Sequence, residues 1–357
     1  MKKIFILLIC VLLLFSGCSV RIDKTTAFKK YTDNDKIAAI DKLCSDFYGA
    51  NGICGLSVGI LDGFEVRFFN YGKTSANGQA VTEDTVFQLG TLTEMFTGVM
   101  WSEWENRGWF KPDTETAIYF PYTKIPSYNG KNFNSFDLAT HSSGLPELPD
   151  NFTDYNSYDD FMLRKYFASA SLLFEPGTSY SHSMTGMGLL GYLLETRLKT
   201  TYEAAVKNSI MYRCSMTSTT VTMTDDQIEN AAVPHGKDGK ELPFVFPASC
   251  LQGAVGFNSC AYDMLIFASL NLAKVDVSTF LERAITLSHQ EHGDGIGYGF
   301  YITPVSGGNR YHQSSCINGS AGYFGVETGN ETAVCVLCNT EIDVIDLAES
   351  IFDILNS

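Results

Sequence analysis

The sequence predicts an α/β chain of the α+β type: one antiparallel β-sheet flanked by N- and C-terminal helices, with a large, mainly helical subdomain inserted into it. Three observations predict this. Short β-like runs lie near both ends of the chain, and a long helix- and loop-rich stretch separates them. An apolar stripe at helical spacing precedes the first runs, and another follows the last. The two ends therefore form one unit, 36–88 plus 291–357, around a helical subdomain, 89–290. A junction of that kind is a common place for a ligand pocket.

From the N-terminus, Lys2 and Lys3 precede an apolar run from Ile4 to Phe15, and Ser16-Gly17-Cys18 follows. A basic start, a short apolar core and small residues before a cut site read as a secretory signal over 1–17, since a spanning helix needs about 20 apolar residues. Residues 18–35 are polar and aperiodic and read as a tether. Ile37, Ile40, Leu43 and Phe47 then recur at near-helical spacing until Gly49. ICGLSVGIL and FEVRFFNYG are β-like, and the Asp62-Gly63 between them signals a hairpin. After the helical stretch, YGFYITP, NRYHQSS, SAGYFGVET and ETAVCVLCN are short β runs between Gly and Asn turns. The closing IDVIDLAESIFDILNS traces an apolar stripe through Ile342, Ile345, Ala348, Phe352 and Leu355, broken only by Glu349.

A chain of 357 residues that is 45% hydrophobic can bury a substantial core. Its formal charge of −15 repels nucleic acid, which excludes that class of partner. Cysteines number ten. Cys335 and Cys338 resemble a CxxC, but on a strand positions three apart face opposite sides, so they read as small buried hydrophobes. Nothing in the pattern calls for a cofactor or a metal.

Four segments carry a resemblance. In chain order they are TVFQLGTLTEMFTGVM (Thr85 to Met100), FDLATHSSGLPEL (Phe136 to Leu148), FEPGTSYSHSMTGMGLLGYLLE (Phe174 to Glu195) and RYHQSSCINGSAGYFGV (Arg310 to Val326). They resemble the nucleophile helix, the THTSGLP loop, the PGxxxxYSN segment and the Lys-Thr-Gly strand of the serine β-lactamase and penicillin-binding-protein superfamily, in its class C and esterase-like branch. The resemblance spans roughly 36–357. FSGC, Phe15 to Cys18, resembles a bacterial lipobox, which implies lipidation of Cys18, a membrane anchor and an extracytoplasmic place.

In that family a serine at a helix start attacks a carbonyl, a lysine one turn later handles its proton, a tyrosine relays it, and two backbone N–H groups hold the oxyanion. By position the resemblance makes Thr91 the nucleophile, Glu94 the lysine, Tyr180 the tyrosine and His182 the asparagine. His312-Gln313-Ser314 becomes the Lys-Thr-Gly triplet, with Ser315 giving the second N–H. Charges 4 Å apart interact by about 4 kcal/mol at an effective dielectric near 20. A carboxylate at the lysine position thus changes the local electrostatics by about 8 kcal/mol, or several decades in rate.

Thr91-x-x-Glu94 also fits a capping box, with the Thr hydroxyl on the N3 amide and the Glu reaching back. Three functions follow as expectations. The first is a pseudoenzyme or weak hydrolase whose cleft still takes a cell-wall peptide or small acyl ligand. The second is an acyl hydrolase in which Thr91 attacks, Tyr180 or Glu94 is the base and His312 assists. The third is a non-catalytic surface interaction protein. His182 and His312 are expected to face one cleft, and His141 to serve as a structural hydrogen-bonding residue.

Overall fold

The computed structural model describes residues 28–120 and 123–357, so the signal segment, Cys18 and most of the tether lie outside the described residues. Chain order gives strands Lys29–Lys30 (β1), Gly55–Asp62 (β2), Glu65–Gly72 (β3), Tyr301–Val305 (β4), Gly308–Ile317 (β5), Ser320–Glu327 (β6) and Thr332–Cys338 (β7). The longer helices are Asn34–Ala50 (α1), Thr93–Asn106 (α2), Asp160–Ser169 (α3), Met184–Leu198 (α4), Ala261–Asn271 (α5), Thr279–Ser288 (α6) and Ile345–Leu355 (α7).

All seven strands form one sheet, ordered β1-β3-β2-β7-β6-β5-β4, antiparallel except for the β1–β3 edge. The β2–β3 hairpin closes between Asp62 and Glu65, with Gly63 at φ +58°, where a side chain would be strained. The tether reading through Asp35 runs too far: Lys29 and Lys30 already pair with Glu65 and Val66, and Asp33 caps α1 by accepting from the amides of Asp35 and Lys36. Short polar residues in that segment carry no periodicity, so the pairing left no trace in the pattern.

Alternation along the strands divides the core into two layers. Val334, Val336 and Cys338 join Ile40, Cys44, Leu347, Ile351 and Phe352 beneath α1 and α7. Ala333, Cys335 and Leu337 join the larger core on the helical side. Cys335 and Cys338 thus point into different layers, as expected from period two. Each large apolar side chain so buried contributes about 1.5–3 kcal/mol. Glu349, the break in the α7 stripe, accepts from Arg310 and from the Tyr323 hydroxyl. Among the described residues no helix is long and apolar enough to cross a membrane.

Candidate functional site

The sheet and the helical subdomain meet where β5 passes the start of α2. Gly90 adopts φ +53°, and a Cβ there would lie 2.2 Å from Ser315 Oγ, so this approach requires glycine. The turn Gly90–Leu92 is 3-10 and runs into α2. The capping-box reading is overturned. The Thr91 hydroxyl donates to Ser314 O at 2.8 Å, and Leu92 holds the cap position with no side-chain bond. The Thr91 N–H donates to Ser315 Oγ at 3.0 Å. The sheet comes close enough to outcompete the local cap for both groups.

Glu94 is fully buried and turns to the sheet and to the loop before α4. Its Oε2 accepts from His182 Nε2 at 3.0 Å and Gln313 Nε2 at 3.1 Å, and faces His141 Nε2 at 3.6 Å. Its Oε1 has no hydrogen-bond partner among the described residues. His182 Nδ1 donates to Glu147 Oε2 at 2.7 Å. Burial alone would lower the His182 pKa, but the carboxylates of Glu94 and Glu147 override it and push the imidazole up to about 11. For Glu94, burial pulls upward, and His182 and His141 outweigh it to leave the carboxyl below its usual range. The pair is a carboxylate and an imidazolium.

Tyr180 donates to or accepts from Tyr301 across the cleft, hydroxyl to hydroxyl at 2.8 Å. Burial, that bond and the charges of Glu94 and Glu147 raise its pKa far above the ordinary phenol value. It is a phenol, never a phenolate, at any neutral pH.

Thr91, Glu94, Tyr180 and His182 are therefore brought together, as are Gln313, Ser314 and Ser315, but His312 is not. Strand alternation places it on the opposite face of β5, stacked on Tyr323 at 5.9 Å and bonded to Thr303 Oγ1 at 2.9 Å. Gln313-Ser314-Ser315, not His312-Gln313-Ser314, is the triplet that meets α2. The second N–H moves as well. Ser314 N donates to Gln313 Oε1 and Ser314 O accepts from Thr91, so the Ser314 backbone points away from β6. Alternation then turns Ser315, paired with Gly322, toward β6, and turns Cys316 to the groove. Cys316 is exposed there.

His141, Glu147 and Tyr301 were not among the expected site residues. His141 sits at φ +54°, and its Nδ1 accepts from the Ser183 N–H at 3.1 Å. The THSSGLPEL loop, already conspicuous in sequence, carries both His141 and Glu147. Glu94, His141 and His182 place one ligand atom each within 4.8 Å of one another, the layout of a metal site. The tautomer argues otherwise. With Nδ1 accepting from the Ser183 N–H, a neutral His141 carries its proton on Nε2, the atom that would have to ligate. The trio is an ion cluster held by protons.

The family profile for Beta-lactamase matches residues 40–355. The chain belongs to the β-lactamase family. A beta-lactamase of Yersinia enterocolitica is 26% identical over 294 residues, covering 79% of this chain and 74% of that one. A beta-lactamase of Escherichia coli K12 is 26% identical over 278 residues, covering 75% and 70%. Among solved structures, a beta-lactamase/D-alanine carboxypeptidase from Pseudomonas syringae superposes with TM-score 0.79 at 20% identity, covering 89% of this chain and 99% of that one. A class C beta-lactamase gives 0.81 at 21% identity, covering 92% and 98%. Within this β-lactamase fold, the groove beside Thr91 encloses about 420 Å³, with Thr91, His182, Tyr301, Gln313 and Ser315 on its walls.

Proposed function

We propose that the chain is an envelope lipoprotein of the β-lactamase fold that retains the family cleft for a cell-wall-peptide-like or ester ligand and has weak or no hydrolase activity. One observation carries the reading. Both groups of residue 91 that acyl transfer would use are engaged internally: the hydroxyl donates to Ser314 O and the N–H to Ser315 Oγ. An attacking hydroxyl must give its proton to a base, and an oxyanion needs a free N–H. The nearby ionisable groups supply neither help. Tyr180 is held protonated, and Glu94 is committed to His182. Thr91 also brings a methyl group that Ser would not.

The test is intact-mass analysis of the chain lacking residues 1–18 after incubation with a fluorophosphonate, a penicillin and an activated ester. The expected result is no adduct and no turnover. An adduct on Thr91 that disappears in Thr91→Ala would make the chain an acyl hydrolase and overturn the proposal. Thr91→Ser/Glu94→Lys/His182→Asn/Ser315→Gly is expected to gain acylation, because it returns a compact nucleophile, a cation and a free N–H together. Anchoring is tested by palmitate labelling in a bacterial host, expected on the full chain and lost in Cys18→Ala.

A further inference from the structure

We infer that the groove binds its ligand through a cationic amine rather than through a carboxylate. This rests on the proposed ligand-binding role of the cleft and specifies its ligand. The charges decide it. Glu94 and Glu147 share a single imidazolium, so that array is left with a net negative charge. Asp343 adds a second carboxylate to the groove wall, and Gln313 faces it with a neutral amide. The one further cation on the wall, Lys237, is 72% exposed and leans toward Glu341, with Nζ 3.9 Å from its carboxylate. A ligand carboxylate would meet uncompensated negative charge.

The hydrogen bonding points the same way. Glu94 lies behind His182 and Gln313 of the groove wall, and its Oε1 has no donor among the described residues, so its charge reaches the groove only partly met. An ammonium at the wall is all donor and carries the charge that this carboxylate favours. Glu147, about half exposed, keeps its second oxygen free of partners among the described residues and can take the same group.

Three probes separate the alternatives by calorimetry on the full chain in detergent. They are Nα-acetyl-lysyl-D-alanyl-D-alanine amide, the same amide acetylated at Nε, and the Nε-acetylated free acid. The first carries only the ammonium, the second no charge, the third only the carboxylate. The ammonium probe is expected to bind about tenfold or more tighter than the other two, the worth of a charge-assisted contact. Glu147→Gln and Asp343→Asn should each weaken it several-fold and leave the neutral probe unchanged. Asp343 is exposed and accepts from the Ile345 N–H, a bond that the Asn amide oxygen keeps, so that variant folds. Equal affinity for the first two probes, tighter binding of the free acid, or no binding of any probe at about 1 mM would overturn the inference. Release of D-alanine amide from a bound probe would overturn the binding-only reading while leaving the ammonium preference standing.

Discussion

Arg310 and Gln313 stand three residues apart on β5 and so meet different layers of the protein. On the α7 face, Arg310 donates to Glu327 Oε1 through Nε at 2.8 Å and to Glu349 through Nη1, and its guanidinium lies 4.2 Å from the Phe352 ring centre. The second Glu327 oxygen accepts from Asn330 and Asn356. Every charge there has its partners, and the cation never loses its proton. On the helical face, Gln313 joins a cluster whose cation is a histidine, whose Glu94 keeps one oxygen unmet and whose Glu147 opens to the groove. The comparison teaches how to tell a structural ion cluster from a binding one: the first is closed in its hydrogen bonds, the second leaves acceptors over.

The largest effect is expected where closure is complete. Arg310→Leu strands the buried Glu327 charge and should cost about 3–5 kcal/mol in urea unfolding. A loss below about 1 kcal/mol would show that this cluster does not hold β5 to α7.

His182→Asn should cost less, about 2 kcal/mol, because His182 is partly exposed and Glu94 can respond by taking up a proton. Its pH dependence is the sharper signature. The folded pKa of His182 is raised to about 11 from 6.5, so its contribution is complete below pH 6.5 and is lost as pH rises toward 11. Glu94 is lowered, so its contribution is present above pH 4.5 and fades as pH falls below it. The stability gap between wild type and His182→Asn, measured by urea midpoints, should therefore shrink steadily from pH 7 to 10. Pairing with Glu94→Gln should recover part of the loss by removing the stranded acid. A gap that does not change with pH would mean that the imidazolium is absent.

The sheet fold was readable because its signals are periodic: the Asp62-Gly63 hairpin, the alternating apolar runs and the α7 stripe all survive without knowledge of their partners. The order of the four site segments was readable for the same reason. The register was not. Choosing between His312 and Gln313 as the residue facing α2 is a one-position matter that flips every side chain, and only the pairing with β6 fixes it. Nor could the sequence show that Thr91 would turn to Ser314 and Ser315, since a Thr-x-x-Glu pattern specifies a cap only when nothing else competes for it. Glu147 sits inside the THSSGLPEL loop but gains its role only from His182, and Tyr301 carries no motif and gains meaning only from Tyr180.

Ser315→Ala is expected to cost about 1 kcal/mol, the price of leaving the buried Thr91 N–H without its acceptor. Gly90→Ala should cost more than Ser315→Ala alone, because it adds a positive-φ penalty to a clash with Ser315 Oγ. In the double variant Gly90→Ala/Ser315→Ala the clash term is relieved, so the two losses should sum to more than the measured total. Simple additivity in thermal unfolding would show that Ser315 Oγ takes no part, leaving φ and Ile317, 2.9 Å from the added Cβ, to require Gly90.

The smallest effect separates the two histidines of the comparison. His312 lies on the α7 side and reaches the groove only through its strand partner Tyr301, 5.8 Å away ring to ring, so His312→Gln should change probe binding far less than Glu147→Gln does. Its stability effect has the opposite pH sign to that of His182. Burial lowers the His312 pKa to about 4, with Arg310 adding to the fall and Glu349 opposing it. The unfolded chain then binds a proton below pH 6.5 that the folded chain refuses until about 4, so wild-type stability drops across that window. His312→Gln loses a ring stack and a hydrogen bond, about 0.5–1 kcal/mol near pH 8, but escapes the acid penalty. The variant should therefore approach and then overtake wild type between pH 6.5 and 4, whereas His182→Asn falls furthest behind toward the acid end of its own window. If both variants moved in the same direction with pH, the two faces of β5 would not differ as described.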